Sequence, residues 1–303
     1  MKSFLTIALF FSMIGPVTSA NYPADTTVSK LIAANATLKL ISNQFSFTEG
    51  PAVDKKGNVF FTDQPNDKIW KYSTKGQLSV FMEKSGRSNG MFFDKKGNLI
   101  SCADSINQLW SIDQKGKATV LVNGFQGQRL NGPNDVWVHP NGDAYITDPY
   151  YQRKWWDRKK PDITGENVYR LPKGKKELVM VADSFMRPNG IIGTPDGKYL
   201  YVADAKGNKT YRFSINNNGS LTDRTIFVSQ GSDGMTIDNQ GNIYLTGNGV
   251  TVYNSRGEKI EHIKVPAKWT ANICFGGKNR DELFITASEA VYTLRMQVRG
   301  AKN

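Results

Sequence analysis

Six positions along the chain carry only carboxylates or carboxamides, and together these side chains could bind a metal ion. Five of the six lie eight residues before a glycine, so they occupy equivalent places in the sequence. The six residues are Glu49, Asn89, Asn134, Asn189, Asp233 and Asn272. Carboxylate and amide oxygens are the ligands that hard divalent cations prefer. Asp and Asn are poor strand formers, so their recurrence at strand starts indicates a role other than sheet formation.

Each of these residues opens a segment with the same layout. A short apolar strand is followed by a turn rich in Gly, Asp and Asn, and then by a second strand richer in Val, Ile, Tyr and Phe, which is typical of a β-hairpin. The segments are 49–63, 89–104, 134–148, 189–204, 233–247 and 272–288. Weaker strand-like runs follow each hairpin. Four strands per repeat, at a period of about 40–45 residues, are typical of a propeller blade.

The repeat predicts an all-β, six-bladed β-propeller with four-stranded antiparallel blades. After the sixth hairpin the chain has room for only one more strand, so the last blade has three. We expect the N-terminal segment 36–45 to supply its missing outer strand, which closes the ring and covers an exposed sheet edge. Residues 36–300 would then form a single domain, preceded by an N-terminal extension at 21–35.

In a propeller the first strand of each blade lines the central channel, so equivalent side chains point to one small volume. We therefore predict a divalent cation there, with Ca²⁺ as the first choice and Mg²⁺, Zn²⁺ or Mn²⁺ as alternatives. The predicted ligands are Glu49, Asn134, Asn189 and Asp233. Without a cation, the carboxylates of Glu49 and Asp233 would repel each other. The alternative, favoured for Asn89 and Asn272, is that the side chains cap strand ends by hydrogen bonding to the backbone.

The connections after the second strands lie on the same face as this site. In the third blade that connection, 149–167, is long and aromatic, and long loops of this kind are often functional. Its aromatic side chains, Tyr150, Tyr151, Trp155 and Trp156, could cover the channel mouth, and we expect Tyr150 and Trp155 to contact substrate. The alternative is that the aromatic side chains pack against their own blade. Arg129 and Asn131, just before the third blade, are also predicted at the channel mouth, where an Arg could bind a carboxylate or a sugar hydroxyl. A surface Arg is the alternative.

Other motifs carry weaker signals. The stretch "GRSNG" (86–90) fits the pattern around a nucleophilic serine, but a strand follows it instead of a helix, so we interpret Ser88 as a chance match. His139 falls in a hairpin turn on the far face and His262 in an outer strand, which argues against a Ser-His-Asp triad or a His-ligated zinc. Cys102 and Cys274 are compatible with one disulfide or with two buried thiols.

The second strands of the first four hairpins end in an aspartate, and these aspartates are predicted to be structural. They are Asp63, Asp104, Asp148 and Asp204. At such a place a carboxylate can accept hydrogen bonds from neighbouring backbone N–H groups.

The N-terminus has the pattern of an export signal. Residues 1–20 contain one Lys, an apolar run and small residues before Ala20, which predicts a cleavable signal peptide and a secreted or periplasmic protein. A retained anchor is the alternative, but the run is short for a bilayer span, and no later segment predicts one. The net charge of +12 is spread over turns, so we predict no nucleic-acid partner. A monomer or weak dimer is expected.

Several stretches of the sequence resemble one known family. "FTEGPAVDKKGNVFFTD", "RLNGPNDVWVHPNGDAYITDPYY", "RPNGI" and "SDGMTIDNQGNIYLT" are similar to segments of the senescence marker protein (regucalcin), gluconolactonase and luciferin-regenerating-enzyme family. The resemblance implies a propeller with one divalent metal in its channel and lactone hydrolysis as the commonest activity. It maps metal ligands onto Glu49, Asn189 and Asp233, a substrate or metal contact onto Asn134, and the basic loop residue onto Arg129. Asp233 matches the position usually proposed as general base.

These observations predict a metal-dependent hydrolase that opens a sugar lactone, in which water attacks a carbonyl polarised by the metal. The long 149–167 loop departs from the family pattern and leaves the particular lactone open. Two alternatives remain at this point: a non-catalytic propeller that binds a sugar or a protein, and a phosphotriesterase-like hydrolase that uses the same metal ring.

Overall fold

The computed structural model describes residues 29–302. The predicted signal peptide (1–20) and residues 21–28 of the predicted extension lie outside the described residues. Within the described part, no helix has the length and apolar character needed to cross a bilayer.

The described residues form 24 strands and two short 3₁₀ turns, the latter at Gln64–Asn66 and Asp104–Ile106. In chain order the strands are β1 (Lys39–Ser42), β2 (Thr48–Val53), β3 (Val59–Asp63), β4 (Lys68–Tyr72), β5 (Leu78–Glu83), β6 (Ser88–Phe93), β7 (Leu99–Ala103), β8 (Gln108–Ile112), β9 (Ala118–Val122), β10 (Val136–Val138), β11 (Ala144–Asp148), β12 (Glu166–Leu171), β13 (Val179–Phe185), β14 (Pro188–Gly193), β15 (Tyr199–Asp204), β16 (Lys209–Ile215), β17 (Leu221–Val228), β18 (Met235–Ile237), β19 (Ile243–Gly247), β20 (Gly249–Tyr253), β21 (Lys259–Ile263), β22 (Thr270–Gly276), β23 (Glu282–Ala287) and β24 (Ala290–Arg295).

These strands build six antiparallel sheets of four strands each, so the predicted six-bladed β-propeller is confirmed. Five blades use four consecutive strands: β2–β5, β6–β9, β10–β13, β14–β17 and β18–β21. The sixth blade has the order β22-β23-β24-β1, so the N-terminal strand supplies its outer edge as predicted. There Lys39 pairs with Thr293, and Leu40 pairs with Tyr292.

The hydrophobic core lies in layers between neighbouring blades. The layer between the third and fourth blades shows how closely the sheets approach: Trp137 and Tyr145 of the third blade are fully buried against Ile191 and Leu200 of the fourth. Gly193 lies under the Trp137 ring, and a Cβ there would fall 2.2 Å from the indole. Such density keeps the blades at fixed angles, so the inner strands meet at a fixed axis.

The inner strands come closest just after the six polar positions. In four blades a glycine follows the polar residue, namely Gly50, Gly90, Gly190 and Gly234. A Cβ at Gly90 would lie 2.6 Å from the Asn134 backbone oxygen, and one at Gly190 would lie 2.8 Å from the Asp233 backbone oxygen. The Glu-Gly, Asn-Gly and Asp-Gly pairs of the sequence therefore reflect backbone crowding around the axis.

In the first, third and fifth blades, a threonine hydroxyl in the second strand donates a hydrogen bond to the backbone of the next blade. The Thr147 hydroxyl donates to the backbone oxygen of Asn189 at 2.7 Å and accepts from the Asp135 N–H at 3.1 Å. The Thr246 hydroxyl donates in the same way to the Ala271 backbone oxygen at 2.8 Å. These bonds hold the polar positions of neighbouring blades at one height.

Both cysteines are buried free thiols. Cys102 lies in β7 and Cys274 in β22, each packed within apolar side chains. Of the two arrangements compatible with the sequence, the structure has the one without a disulfide.

Replacing Thr147 by Val should lower the free energy of unfolding by about 1–3 kcal/mol, because the buried Asn189 carbonyl and Asp135 N–H each lose their hydroxyl partner. The control is Thr119→Val on the exposed outer strand β9, which should stay within about 0.5 kcal/mol of wild type. Urea unfolding of the three proteins measures both effects. Equal stability of the two variants would contradict the fastening role of Thr147.

Candidate functional site

A cavity of about 650 Å³ opens at the end of the channel where the inner strands begin. Five of the six polar positions line it, namely Glu49, Asn89, Asn134, Asn189 and Asp233. We call these five residues the axial ring. The sixth position, Asn272, lies outside the lining, and its amide oxygen accepts a hydrogen bond from the Ile273 N–H at 2.8 Å. The four predicted metal ligands are therefore brought together. Asn272 lies beside them, because its side chain also hydrogen-bonds to the carboxyl groups of Glu49 and Asp135.

Asp233 has both carboxylate oxygens in hydrogen bonds. One accepts from the Asn189 amide at 2.8 Å, and the other accepts from the indole N–H of Trp269 at 2.6 Å. Desolvation raises the pKa of Asp233 to about 6, against the effect of these two bonds. A carboxylate with such a pKa, fixed on two sides, is suited to accept a proton near neutral pH.

Glu49 is the second acid of the axial ring and is only 4% exposed. Burial raises its pKa well above the usual range, and the Asp233 charge raises it further, while the hydrogen bond from the Gly50 N–H acts in the opposite direction. Two carboxylates that disfavour each other's charge form a site where a cation is stabilising. Both supply the oxygen ligands that Ca²⁺ prefers.

The axial ring could bind a cation with a mixture of carboxylate and amide oxygens, because it does not contain a cluster of three or more acids. Within residues 29–302, no group of three or more His, Cys, Asp or Glu side chains is arranged to hold a metal ion. Amide oxygens of Asn134 and Asn189 would have to complete the coordination of a cation bound by Glu49 and Asp233. This donor set is typical of hard cations such as Ca²⁺ and Mg²⁺.

Asp135 is a third acid near the axis that the sequence reasoning missed. Burial raises its pKa to about 7, and its charge also raises the pKa of Glu49. Its carboxylate lies against Gly90, the glycine that follows the polar residue of the second blade. A Cβ on Gly90 would lie 2.2 Å from this carboxylate, so the missing side chain of Gly90 leaves the space that Asp135 occupies. The sequence does contain a signal for this acid: Asp135 follows the polar residue Asn134 at the position where four other repeats have glycine.

The long connection of the third blade reaches the cavity through one of its four predicted aromatic residues and through an arginine that was not predicted. It spans 149–165, two residues less than expected, because β12 begins at Glu166. Tyr151 and Arg153 line the cavity. The Tyr151 hydroxyl accepts a hydrogen bond from the Asn189 amide at 3.0 Å, so the loop contacts the axial ring directly.

Neither Tyr150 nor Trp155 is among the lining residues. The Tyr150 hydroxyl bonds to Gln152 at 2.5 Å, and its ring stacks near Trp156 with centroids 5.7 Å apart. The Trp155 indole N–H donates a hydrogen bond to Asp104 at 3.2 Å. The Arg153 guanidinium lies over the Trp155 ring, 5.7 Å from its centroid. Both side chains hold the loop in place, which corresponds to the packing alternative.

Arg129 and Asn131 are also absent from the lining. Arg129 is 47% exposed and pairs with Asp162 at 2.8 Å and Asp157 at 3.2 Å, so acids of the long loop turn it outward. Asn131 is fully buried, and its amide donates to the Gly165 backbone oxygen at 2.8 Å. The structure thus places these two predicted substrate contacts in the support of the loop.

Three of the four recurring aspartates satisfy backbone donors, as predicted. Asp63 accepts from the Ser46 and Phe47 N–H groups, Asp148 from Asn131 and Gly132, and Asp204 from Met186 and Arg187. The equivalent Asp104 differs, because its carboxylate pairs with Arg153 at 3.2 Å and with the Trp155 indole. Its backbone oxygen also accepts from the Trp156 indole at 2.9 Å. Asp104 is therefore the anchor of the long loop.

The positions of Ser88 and of the two histidines show the roles of the remaining motifs. Ser88 is fully buried and donates to the Ser85 backbone oxygen at 2.6 Å, which confirms that the GRSNG match is not a nucleophile. His139 bonds to the Gly197 backbone oxygen on the far face. His262 lies in the outer strand β21 as predicted, yet its side chain lines the cavity.

Comparison with known proteins identifies the family. The model of the SMP-30/gluconolactonase/LRE-like region matches residues 47–289. The chain belongs to this family. A gluconolactonase of Zymomonas mobilis is 29% identical over 321 aligned positions, covering 95% of this chain and 88% of that protein.

Solved structures of the family agree with this assignment. A gluconolactonase of Xanthomonas campestris superposes with a TM-score of 0.82 at 28% identity, covering 88% of this chain and 91% of that one. A calcium-binding regucalcin of Agrobacterium tumefaciens has a TM-score of 0.74 at 22% identity, with coverage of 88% and 95%, and this likeness concerns the fold alone.

Asp135 should make the protein less stable as the pH rises from about 4 to 7. Its pKa is about 7 in the fold and about 3.9 in an unfolded chain, so the folded state binds more protons in this window. Urea midpoints measured at pH 5 and pH 8, with a chelator present, should fall with pH in the wild type and fall less in Asp135→Asn. Identical pH slopes for the two proteins would show that Asp135 titrates normally.

Asp104→Asn should loosen the long loop, because Arg153 and Trp155 lose a charged hydrogen-bond partner. A charge-assisted bond contributes about 1.5–3 kcal/mol, which corresponds to at least about tenfold faster amide exchange wherever the loop opens locally. Hydrogen exchange followed by mass spectrometry over 149–165 measures this, with the exposed Asp183→Asn as control. Unchanged protection of the loop would contradict the anchoring role.

Proposed function

We propose that the chain is a metal-dependent hydrolase that opens sugar lactones. The observation that carries the proposal is the placement of Asp233 beside Glu49 in the axial ring, at the floor of a cavity of about 650 Å³. Family membership and the Zymomonas mobilis gluconolactonase support a lactone as the substrate class. Relatives named 6-deoxy-6-sulfogluconolactonase and pentonolactonase show that the family varies in the sugar.

Glu49, Asn189 and Asp233, with Asn134, would hold the cation. The desolvated pair of carboxylates supports this assignment, because their mutual repulsion is relieved by a positive charge. A bound divalent cation supplies a Lewis acid that polarises the lactone carbonyl and stabilises the oxyanion that develops there. Ca²⁺ remains the first choice, since all the candidate ligands are oxygens.

Asp233 is the proposed general base. Its carboxylate would remove a proton from the water that attacks the lactone carbon and would later return it to the departing ring oxygen. The bonds from Trp269 and Asn189 fix the direction of the two carboxylate oxygens. A base held in this way needs no rearrangement when the water arrives.

Gln64, Tyr151 and Arg153 are the proposed substrate contacts, in place of Tyr150, Trp155, Arg129 and Asn131. All three line the cavity. The Gln64 amide nitrogen is buried and finds no hydrogen-bond partner among the described residues, so it is available to a sugar oxygen. Arg153, held by Asp104, adds a positive charge near the mouth. Together they would orient the hydroxyl groups of the lactone ring.

The test compares the wild type, Asp233→Asn and the surface control Asp183→Asn on aldonolactones, with and without a chelator. Loss of the general base should lower kcat by about 10²–10⁴-fold, and circular dichroism should show the fold unchanged. Chelation should abolish wild-type activity, and added Ca²⁺ or Mg²⁺ should restore it.

Three results would contradict the proposal. Full activity after metal removal would exclude the metal role, and full activity of Asp233→Asn would exclude the base. Hydrolysis of a phosphotriester without hydrolysis of any lactone would replace the substrate class.

A further inference from the structure

The cavity extends sideways from the axial ring into the space between the fourth and fifth blades. We call this extension the side arm; it is lined by Asn208, Gln230, Asn248, Thr251, Lys259 and His262. Pockets of roughly 300–1,000 Å³ enclose drug-sized ligands, so the cavity of about 650 Å³ has room for more than a lactone ring. The mechanism above uses none of the side-arm residues.

The fifth blade builds one wall of the side arm. Thr251 of β20 lies opposite His262 of β21, and the Thr251 hydroxyl is 3.2 Å from Nδ1 of the imidazole. Gly249 is the first residue of β20, and a Cβ there would lie 3.3 Å from the His262 Nε2 atom. The imidazole thus contacts Thr251 at one ring nitrogen and lies next to Gly249 at the other.

The fourth blade contributes amides whose oxygens are already engaged. The Gln230 side-chain oxygen accepts from the Tyr253 hydroxyl at 2.7 Å, and the Asn208 side-chain oxygen accepts from the Gly231 N–H at 3.1 Å. The hydrogen bonds found among residues 29–302 give neither amide nitrogen a protein acceptor. These two residues therefore bring unused N–H donors to the side arm.

The charged group of the side arm is Lys259. The ion pairs found in the described part of the chain do not include it, although Lys68, Lys198 and several arginines are paired. Burial lowers the pKa of His262, and Lys259 and Lys264 lower it further, so the imidazole is neutral near pH 7. The acid close to His262 is Glu261, which accepts the His262 backbone N–H at 2.8 Å and does not line the cavity.

We propose that the side arm is a subsite for a negatively charged substituent of the substrate, bound by Lys259 and by the amide donors of Asn208 and Gln230. This inference rests on the proposed function, since it places the lactone carbonyl at the axial ring.

The charge distribution also orients the substrate. In the proposed function the cation held by Glu49 and Asp233 takes the lactone carbonyl, whereas the side arm offers Lys259 and hydrogen-bond donors to an anionic group. A substrate with one anionic group would place that group in the side arm and its carbonyl at the ring. The structure thus points to aldonolactones that carry a phosphate, sulfonate or carboxylate at the end remote from the carbonyl.

The kinetic test uses two lactones that differ only in this group, D-glucono-1,5-lactone and its 6-phospho derivative. We expect the wild type to prefer the phosphorylated lactone in kcat/KM by about tenfold or more, the size of one charge-assisted hydrogen bond. Lys259→Gln should remove most of this preference through KM. The matched control is Lys264→Gln, since Lys264 follows the same strand but lines a separate surface groove with Leu38 and Pro266.

A binding measurement separates this inference from the proposed function. Calorimetric titration with gluconate and 6-phosphogluconate needs no turnover, and the phosphorylated acid should bind about tenfold more tightly to wild type and lose this advantage in Lys259→Gln. If neither lactone is opened but this difference is found, the function is wrong and the subsite stands. Equal binding of the two acids to wild type, or equal loss in Lys259→Gln and Lys264→Gln, would overturn the subsite.

Discussion

The close approach of six inner strands to one axis is the constraint on which the rest of this structure depends. In four of the six blades there is no space for a Cβ after the polar position, as the close backbone contacts at Gly90 and Gly190 show. Glycine frees the backbone to approach, and the preceding polar side chain is then directed into the channel. The threonine hydroxyls that join neighbouring blades fix the height of these side chains. A site assembled from distant parts of the chain is therefore as rigid as the backbone around it.

This rigidity has an electrostatic cost at the centre. Glu49, Asp135 and Asp233 are brought together with little water, and each has a raised pKa because its charged form is poorly solvated. Natural folds rarely bury several acids without a compensating charge. A cation in the axial ring would provide that charge, so the same repulsion that destabilises the protein alone also supports binding of a metal. Under the proposed function, stability and activity would be coupled through one set of carboxylates.

The parts of the site that repeat could be predicted from the sequence, and the parts that do not repeat could not. Glu49, Asn134, Asn189 and Asp233 occupy equivalent places in successive hairpins, so the fold alone brings them together. The long third-blade loop has no such repeat to fix it. Its course depends on the ion pairs of Arg129 with Asp157 and Asp162, and on the anchor at Asp104. Pairings between distant charged residues leave no periodic trace, which is why Tyr151 and Arg153, and not Tyr150 and Trp155, reach the cavity.

The closing of the sixth blade by β1 has a consequence for how the chain reaches its native state. β1 is synthesised long before its partner β24, because the other five blades lie between them in the sequence. Until β24 is made, β1 lacks the strand with which it pairs in the native sheet. Contacts between such distant segments slow folding, because a large loop must close before they contribute. Until the ring closes, the unpaired edge of β1 is open to pairing with another copy of the chain.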